Sequence, residues 1–184
     1  MARLLLIFLP LLLAASGAPA QRTNPQIDYP GFEKLAQSVG PYRQSRLLSW
    51  AKFAEAAKRP GALILDARSA DAYTAGHIDG AVNLPFTDFT AQSLAEAIGD
   101  KSRPILIYCN NNFSNDRRPV VMKRVQLALN IQTFINLVGY GYPNVYELNE
   151  VIDLNDPKVG WVKSEAEIQR EAARARLKIS STGR

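Results

Sequence analysis

The chain has 184 residues, 47% apolar and 21% charged, with 11 glycines and 11 prolines; this is the profile of a globular domain and excludes collagen-like and low-complexity chains. A single cysteine excludes a disulfide framework or a cysteine-rich zinc site, and a single histidine excludes the usual multi-histidine metal arrangements. Twenty-two Lys/Arg against seventeen Asp/Glu give a formal charge of +5, which favours small anionic partners but is too diffuse to indicate nucleic-acid binding.

Residues 1–20 read as a signal peptide. Arg3 precedes an apolar run from Leu4 to Ala15, and Ala18-Pro19-Ala20 forms a small-residue cleavage site before Gln21. The run is too short to cross a hydrocarbon layer of about 30 Å as a helix. The expectation is an exported protein, periplasmic or secreted, from a bacterial source, with no stable membrane insertion after cleavage. In that oxidising setting a lone Cys109 has no partner in its own chain, so it is either buried and inert or kept for its reactivity.

Residues 21–44, rich in Pro, Gln, Asn and Gly, read as an extended arm along the edge of the domain. A domain over 45–162 follows. Arg46-Leu47-Leu48 is a short strand, and Ser49 caps a helix from Trp50 to Lys58 that Pro60-Gly61 stops. Ala62 to Asp66 is a continuous apolar run of strand length, expected for a strand covered on both faces. A short helix at Asp71–Ala75 ends at Gly76. A strand over Ala81–Leu84 is closed by Pro85, and a helix over Gln92–Ile98 ends at Gly99. Pro104 to Tyr108 is the second continuous apolar strand, delivering the chain to Cys109. Helical apolar spacing follows over Val121–Leu129 and over Phe134–Val138, then a strand over Asn144–Leu148. Lys163–Lys178 is a charged, alanine-rich terminal helix in a C-terminal segment, 163–184. Strands alternating with helices predict an α/β domain, a mostly parallel sheet with helices on both faces.

In such sheets ligands bind beyond the carboxyl ends of the strands. Cys109 stands at one, followed by the polar loop Asn110-Asn111-Asn112-Phe113-Ser114-Asn115, whose backbone N–H groups can curl around an anion. A thiolate held there has a depressed pKa; a fall of two units corresponds to about 2.7 kcal/mol. Arg117 and Arg118, if the segment folds back, add positive charge to the same site. The sixth residue after Cys109 is Asn115 and not Arg, against a C-x5-R phosphatase loop. Asp66 and Arg68 pair to tie a strand end to the neighbouring turn, and His77 is a hydrogen-bonded turn residue. No phosphate-binding glycine loop occurs, and neither a metal nor an organic cofactor is expected.

Four ordered segments resemble the rhodanese-like domain family: Leu65-Asp66-Ala67-Arg68; Gly76-His77-Ile78-Asp79-Gly80-Ala81 running to Pro85; Ile107-Tyr108-Cys109; and Gly141-Tyr142-Pro143-Asn144-Val145-Tyr146-Glu147-Leu148. The resemblance covers roughly Ser45 to Leu148 and implies a three-layer fold. It implies a sulfurtransferase in which Cys109 takes sulfane sulfur from a small anionic donor such as thiosulfate, holds it as a persulfide and passes it to a thiol or cyanide. The segment after Cys109 departs from the family pattern: three asparagines stand where an Arg is common, and the span to Gly141 is enlarged. The alternative is therefore a catalytically silent rhodanese-like binding module whose enlarged loop recognises an anion or a protein partner.

Overall fold

The two continuous apolar runs form the middle of the sheet. In a computed structural model, which describes residues 24–165, 167–170 and 172–174, β2 (Leu63–Asp66) and β5 (Ile105–Tyr108) are adjacent, parallel and buried at every position. The register pairs Leu63 with Ile105 and Asp66 with Tyr108, so both strands end level. Outside them lie β4 (Val82–Asn83) against β2, and β6 (Val145–Leu148) against β5, with β1 (Leu47–Leu48) beyond β6. The order is β1-β6-β5-β2-β4, every pair parallel, as βαβ crossovers produce.

The two-residue side-chain period divides the core. Leu63, Leu65, Ile105 and Ile107 face one side, packing with Val39 of α1 (Tyr29–Gln44), Leu94 of α4 (Ala91–Ile98) and Phe134 and Leu137 of α5 (Leu129–Gly139). Ile64, Leu106 and Tyr108 face the other, against Phe53 of α2 (Trp50–Ala57), Phe113 and Val120. Each fully buried Leu, Ile or Phe contributes about 1.5–3 kcal/mol of transfer free energy, so these two faces hold the three layers together.

Three features differ from the sequence reading. Residues 29–44 are a helix, not an extended arm. Asp28 caps it, accepting from the Gly31 N–H at 2.8 Å, and Pro30 falls in the first turn, where its missing N–H costs nothing. The helix is fastened by a bidentate Arg43–Glu147 pair at 2.6 Å and by the Tyr42 hydroxyl on the Pro143 carbonyl. Second, Val121–Leu129 is not helical apart from a single 3-10 turn at Val125–Leu127; the segment 116–128 is a strap outside the sheet, and Val121, Met122, Val125 and Leu127 on it are exposed. Third, β3 (His77–Ile78), following α3 (Ala70–Ala75), pairs antiparallel with β7 (Trp161–Val162) in a small second sheet. Gly76 makes this possible: a Cβ there would stand 2.3 Å from Trp161 Nε1.

Residues 165, 167–170 and 172–174 are helical, and the continuation of that helix lies outside the described residues, as does the segment 1–20 read as a signal peptide. Among the described residues no helix is long and apolar enough to cross a membrane.

Candidate active site

β5 is the middle strand, and its carboxyl end sets Cys109 at the centre of the sheet edge. The N–H of Cys109 donates to Asn112 Oδ1 at 2.9 Å, which fixes the turn that follows. The first turn of α5 closes on the same place: the backbone amides of its Asn130 and Leu129, with that of Asn111 from the loop, act on the sulfur and favour its charged form. The chain thus brings a helix N-terminus back to the cysteine after the 110–128 excursion.

Burial is the larger effect. Cys109 is 1% exposed, and desolvation pushes its thiol above the ordinary range, with the charge of Glu147 adding to the rise. The depressed pKa expected from an amide cradle is therefore overturned. The donors are present, but the cost of placing a thiolate in a dry setting exceeds what they return.

The asparagine loop also serves a different purpose from the one its composition suggests. Asn112 is buried, its amide donating to the Leu148 carbonyl at 2.8 Å and to the Glu150 carbonyl at 3.1 Å, so it ties β5 to the end of β6. Asn110 donates to the Val121 carbonyl at 2.8 Å. Asn111 donates to the Lys123 carbonyl at 2.7 Å and accepts from the Lys123 N–H at 3.1 Å. Both clasp the strap. Phe113 is core, edge-on to Tyr108 and Trp161, and bridges Ile152 in parallel. The Ser114 N–H donates to the Ile152 carbonyl at 3.0 Å, and Asn115 donates to Asp153 at 2.9 Å. Of 110–115, the Asn111 amide acts on the sulfur, and the side chains of Asn110, Asn111, Asn112 and Asn115 are engaged by other parts of the chain.

Two hollows flank the loop. One of about 350 Å³ is lined by Ala67, Arg68, Phe86, Asn110, Asn111, Lys123, Leu129 and Gln132, at the carboxyl ends of β2, β4 and β5. Cys109 lies behind its wall, next to Asn111 and Leu129. The other, of about 1080 Å³, lies on the far side of Asn110 and is lined by Arg117, Arg118, Arg170 and Arg174 together with Asp71, Asp156 and Trp161. Arg117 and Arg118 therefore face a different hollow from the one nearest the sulfur, because the strap carries them outward.

Behind the site, Asp66 and Arg68 form a fully buried pair. Arg68 Nη2 donates to Asp66 Oδ2 at 2.6 Å and to the Gly76 carbonyl at 2.7 Å, and the Tyr108 hydroxyl donates to the same carboxylate oxygen at 2.5 Å. Burial opposes the Arg68 charge, but bonding to Asp66 outweighs it and holds the guanidinium above its ordinary value. Burial, with Asp66 beside it, pushes Tyr108 well above the phenol range, so its proton stays in place. His77 Nδ1 lies 2.8 Å from the Tyr73 carbonyl, and its ring stacks on Tyr73. These groups hold the strand ends; none is directed at Cys109. Among the described residues no cluster of His, Cys, Asp and Glu is able to hold a metal ion.

The sequence reading missed Leu129 and Asn130 as neighbours of the site, since placing a helix at Val121–Leu129 put the start of α5 in the wrong place. It also passed over the Tyr108 hydroxyl, whose signal was the Tyr-Cys pair itself.

A parallel sheet with a cysteine at the end of its middle strand is the rhodanese arrangement. The family model for the rhodanese-like domain matches residues 49–153, more than half of the chain, and the chain belongs to that family. Membership supports a sulfur-related, sulfurtransferase-family role. No curated protein matches the chain. Similar solved structures include the Alr3790 protein from Anabaena sp., 19% identical over 67% of this chain and 99% of that chain, with a TM-score of 0.44. The BH2092 protein from Bacillus halodurans is 19% identical over 63% of this chain and 74% of its own, with a TM-score of 0.40. Wild-type EanB is 20% identical over 60% of this chain and 24% of its own, with a TM-score of 0.42.

Proposed function

We propose that the protein carries sulfane sulfur on Cys109. The Cys109 thiolate attacks the outer sulfur of thiosulfate or a similar donor; the donor S–S bond breaks and sulfite leaves with the electron pair. Cys109 is left as a persulfide. An acceptor thiolate, or cyanide, then attacks the outer sulfur and releases Cys109 as thiolate. No redox partner is needed, because each step exchanges one thiophile for another.

The observation that carries this reading is the position of the chain's one cysteine, at the end of the middle strand and against the first amides of α5. Those amides favour negative charge on sulfur as it develops, the condition that transfer requires. Cys109 is buried at rest, so donor access needs a local opening. The strap 116–128 is the segment proposed to lift: Asn111 clasps it, and its Lys123 lines the hollow beside the cysteine. Arg117 and Arg118 would then draw anions toward the loop by long-range attraction, without touching the reacting sulfur. The apolar run Leu4–Ala15 and the Ala18-Pro19-Ala20 site support an exported setting.

The same burial favours a second reading, a silent binding module in which Cys109 is core. Thiocyanate formation separates the two. Thiosulfate and then cyanide should yield thiocyanate with the wild-type chain and none with Cys109→Ser; equal, background-level yields from both would leave the binding module standing.

A further inference from the structure

The first two turns of α5 hold two buried side-chain polar atoms with no partner: Asn130 Oδ1 and Thr133 Oγ1. Asn130 is 4% exposed and Thr133 1%. A buried group left unbonded loses its hydration without return, so such atoms are uncommon and call for an occupant. A helical threonine can bond back to the carbonyl one turn earlier; Thr133 does not.

Asn130 is tied to Cys109. Asn112 Oδ1 accepts the Cys109 N–H at 2.9 Å and Asn130 Nδ2 at 3.0 Å, so one oxygen joins the cysteine backbone to the Asn130 side chain. That bond commits the nitrogen end of the Asn130 amide and leaves its oxygen over. The backbone amide of Asn130 meanwhile acts on the Cys109 sulfur. Thr133 stands three residues on, along the same helix face. A carbonyl that accepts and a hydroxyl that donates thus stand unbonded in the first two turns of the helix whose leading amides close on the sulfur.

We infer that Asn130 and Thr133 form a binding place for the outer sulfur of a Cys109 persulfide. This rests on the reading of Cys109 as a sulfur carrier and names the residues that hold its load. Thiolate attack leaves the persulfide as an anion, which takes up one proton from solvent and gives it back before transfer. While it is protonated its S–H donates to Asn130 Oδ1, and the Thr133 hydroxyl donates to the outer sulfur. Both are positioning groups that keep the loaded sulfur from water between donor and acceptor.

The test compares the wild-type chain with Thr133→Val, which matches its shape, Thr133→Ser, which keeps the hydroxyl, and Thr133→Ala as a second deletion. Each is incubated with thiosulfate, freed of donor and followed by intact mass. Thr133→Val is expected to melt no lower than wild type, since it removes an unbonded polar atom, yet to lose its added sulfur about tenfold faster. Thr133→Ala should lose sulfur as fast as Thr133→Val, and Thr133→Ser should stay within about twofold of wild type. Valine and wild-type chains that load and hold sulfur alike overturn the inference, the two atoms then enclosing a water only, and leave the carrier reading intact. A wild-type chain that never loads removes both.

Discussion

The clasp on the strap offers a quantitative test of how Cys109 is reached. Asn111→Ala removes two hydrogen bonds, Nδ2 to the Lys123 carbonyl at 2.7 Å and the Lys123 N–H to Oδ1 at 3.1 Å. Both are exposed, so water replaces them in the open form, and each contributes about 0.5–1 kcal/mol net. Their joint loss of about 1–2 kcal/mol raises the open population roughly 5- to 30-fold. Iodoacetamide labelling of Cys109, followed by mass in excess reagent near pH 8.5, reads that population when the strap opens and closes faster than the reagent reacts. Asn115→Ala is the control, since its bonds run to Asp153 and Leu154, away from the strap. It should change labelling less than about twofold. Asn111→Ala labelling at the wild-type rate would show that lifting the strap is not what exposes the sulfur.

Other outcomes follow from the same geometry. Burial raises the Cys109 thiol, so the folded state keeps its proton more firmly than the unfolded chain. The associated stability is full below about pH 8.5 and is lost as pH rises through the folded value, so in urea melts from pH 7 to 10 wild type should lose ground relative to Cys109→Ala. Below pH 7 the two should run parallel. Gly76→Ala places a methyl 2.3 Å from a rigid indole nitrogen and should cost about 1–3 kcal/mol in chemical denaturation, with a shift in Trp161 fluorescence. Arg68→Met leaves Asp66 buried and without its cation and should cost about 3–5 kcal/mol; a loss below about 1 kcal/mol would contradict the placement of that pair. Arg117→Ala with Arg118→Ala should slow thiosulfate loading a few-fold at low salt, the difference vanishing near 0.5 M salt, as long-range attraction requires.

The parts of the fold that follow from local rules were legible. Leu63–Asp66 and Ile105–Tyr108 are apolar up to their last residues because both faces are covered, and Ser49 caps its helix with its own hydroxyl. What escaped depends on distant partners. The helix at 29–44 has an interior proline, Pro41, and weak amphipathy, and it is held by Glu147 and Pro143, about a hundred residues away. The strap has helical apolar spacing, yet Asn110 and Asn111 satisfy its backbone from outside, and Val120 alone reaches the core from the middle of it. The β3–β7 pair consists of two-residue strands that meet only after the whole domain closes.

At the site, the order of motifs pointed to Cys109 and to the Asp66–Arg68 pair, because both are read from residue type and spacing. Its chemistry was less legible. The loop amides were counted as donors to an anion, but burial, which no local sequence term supplies, reverses the direction of the pKa shift. The asparagine side chains of the loop are ties between β5, β6 and the strap.

The most direct measurement is the intact mass of the purified chain after incubation with thiosulfate and removal of the donor. A transfer enzyme gains the mass of a single sulfur, surrenders it to cyanide or a small thiol, and shows neither change once serine replaces the cysteine. An unaltered mass at every donor concentration, in wild type and in Asn111→Ala alike, would contradict it.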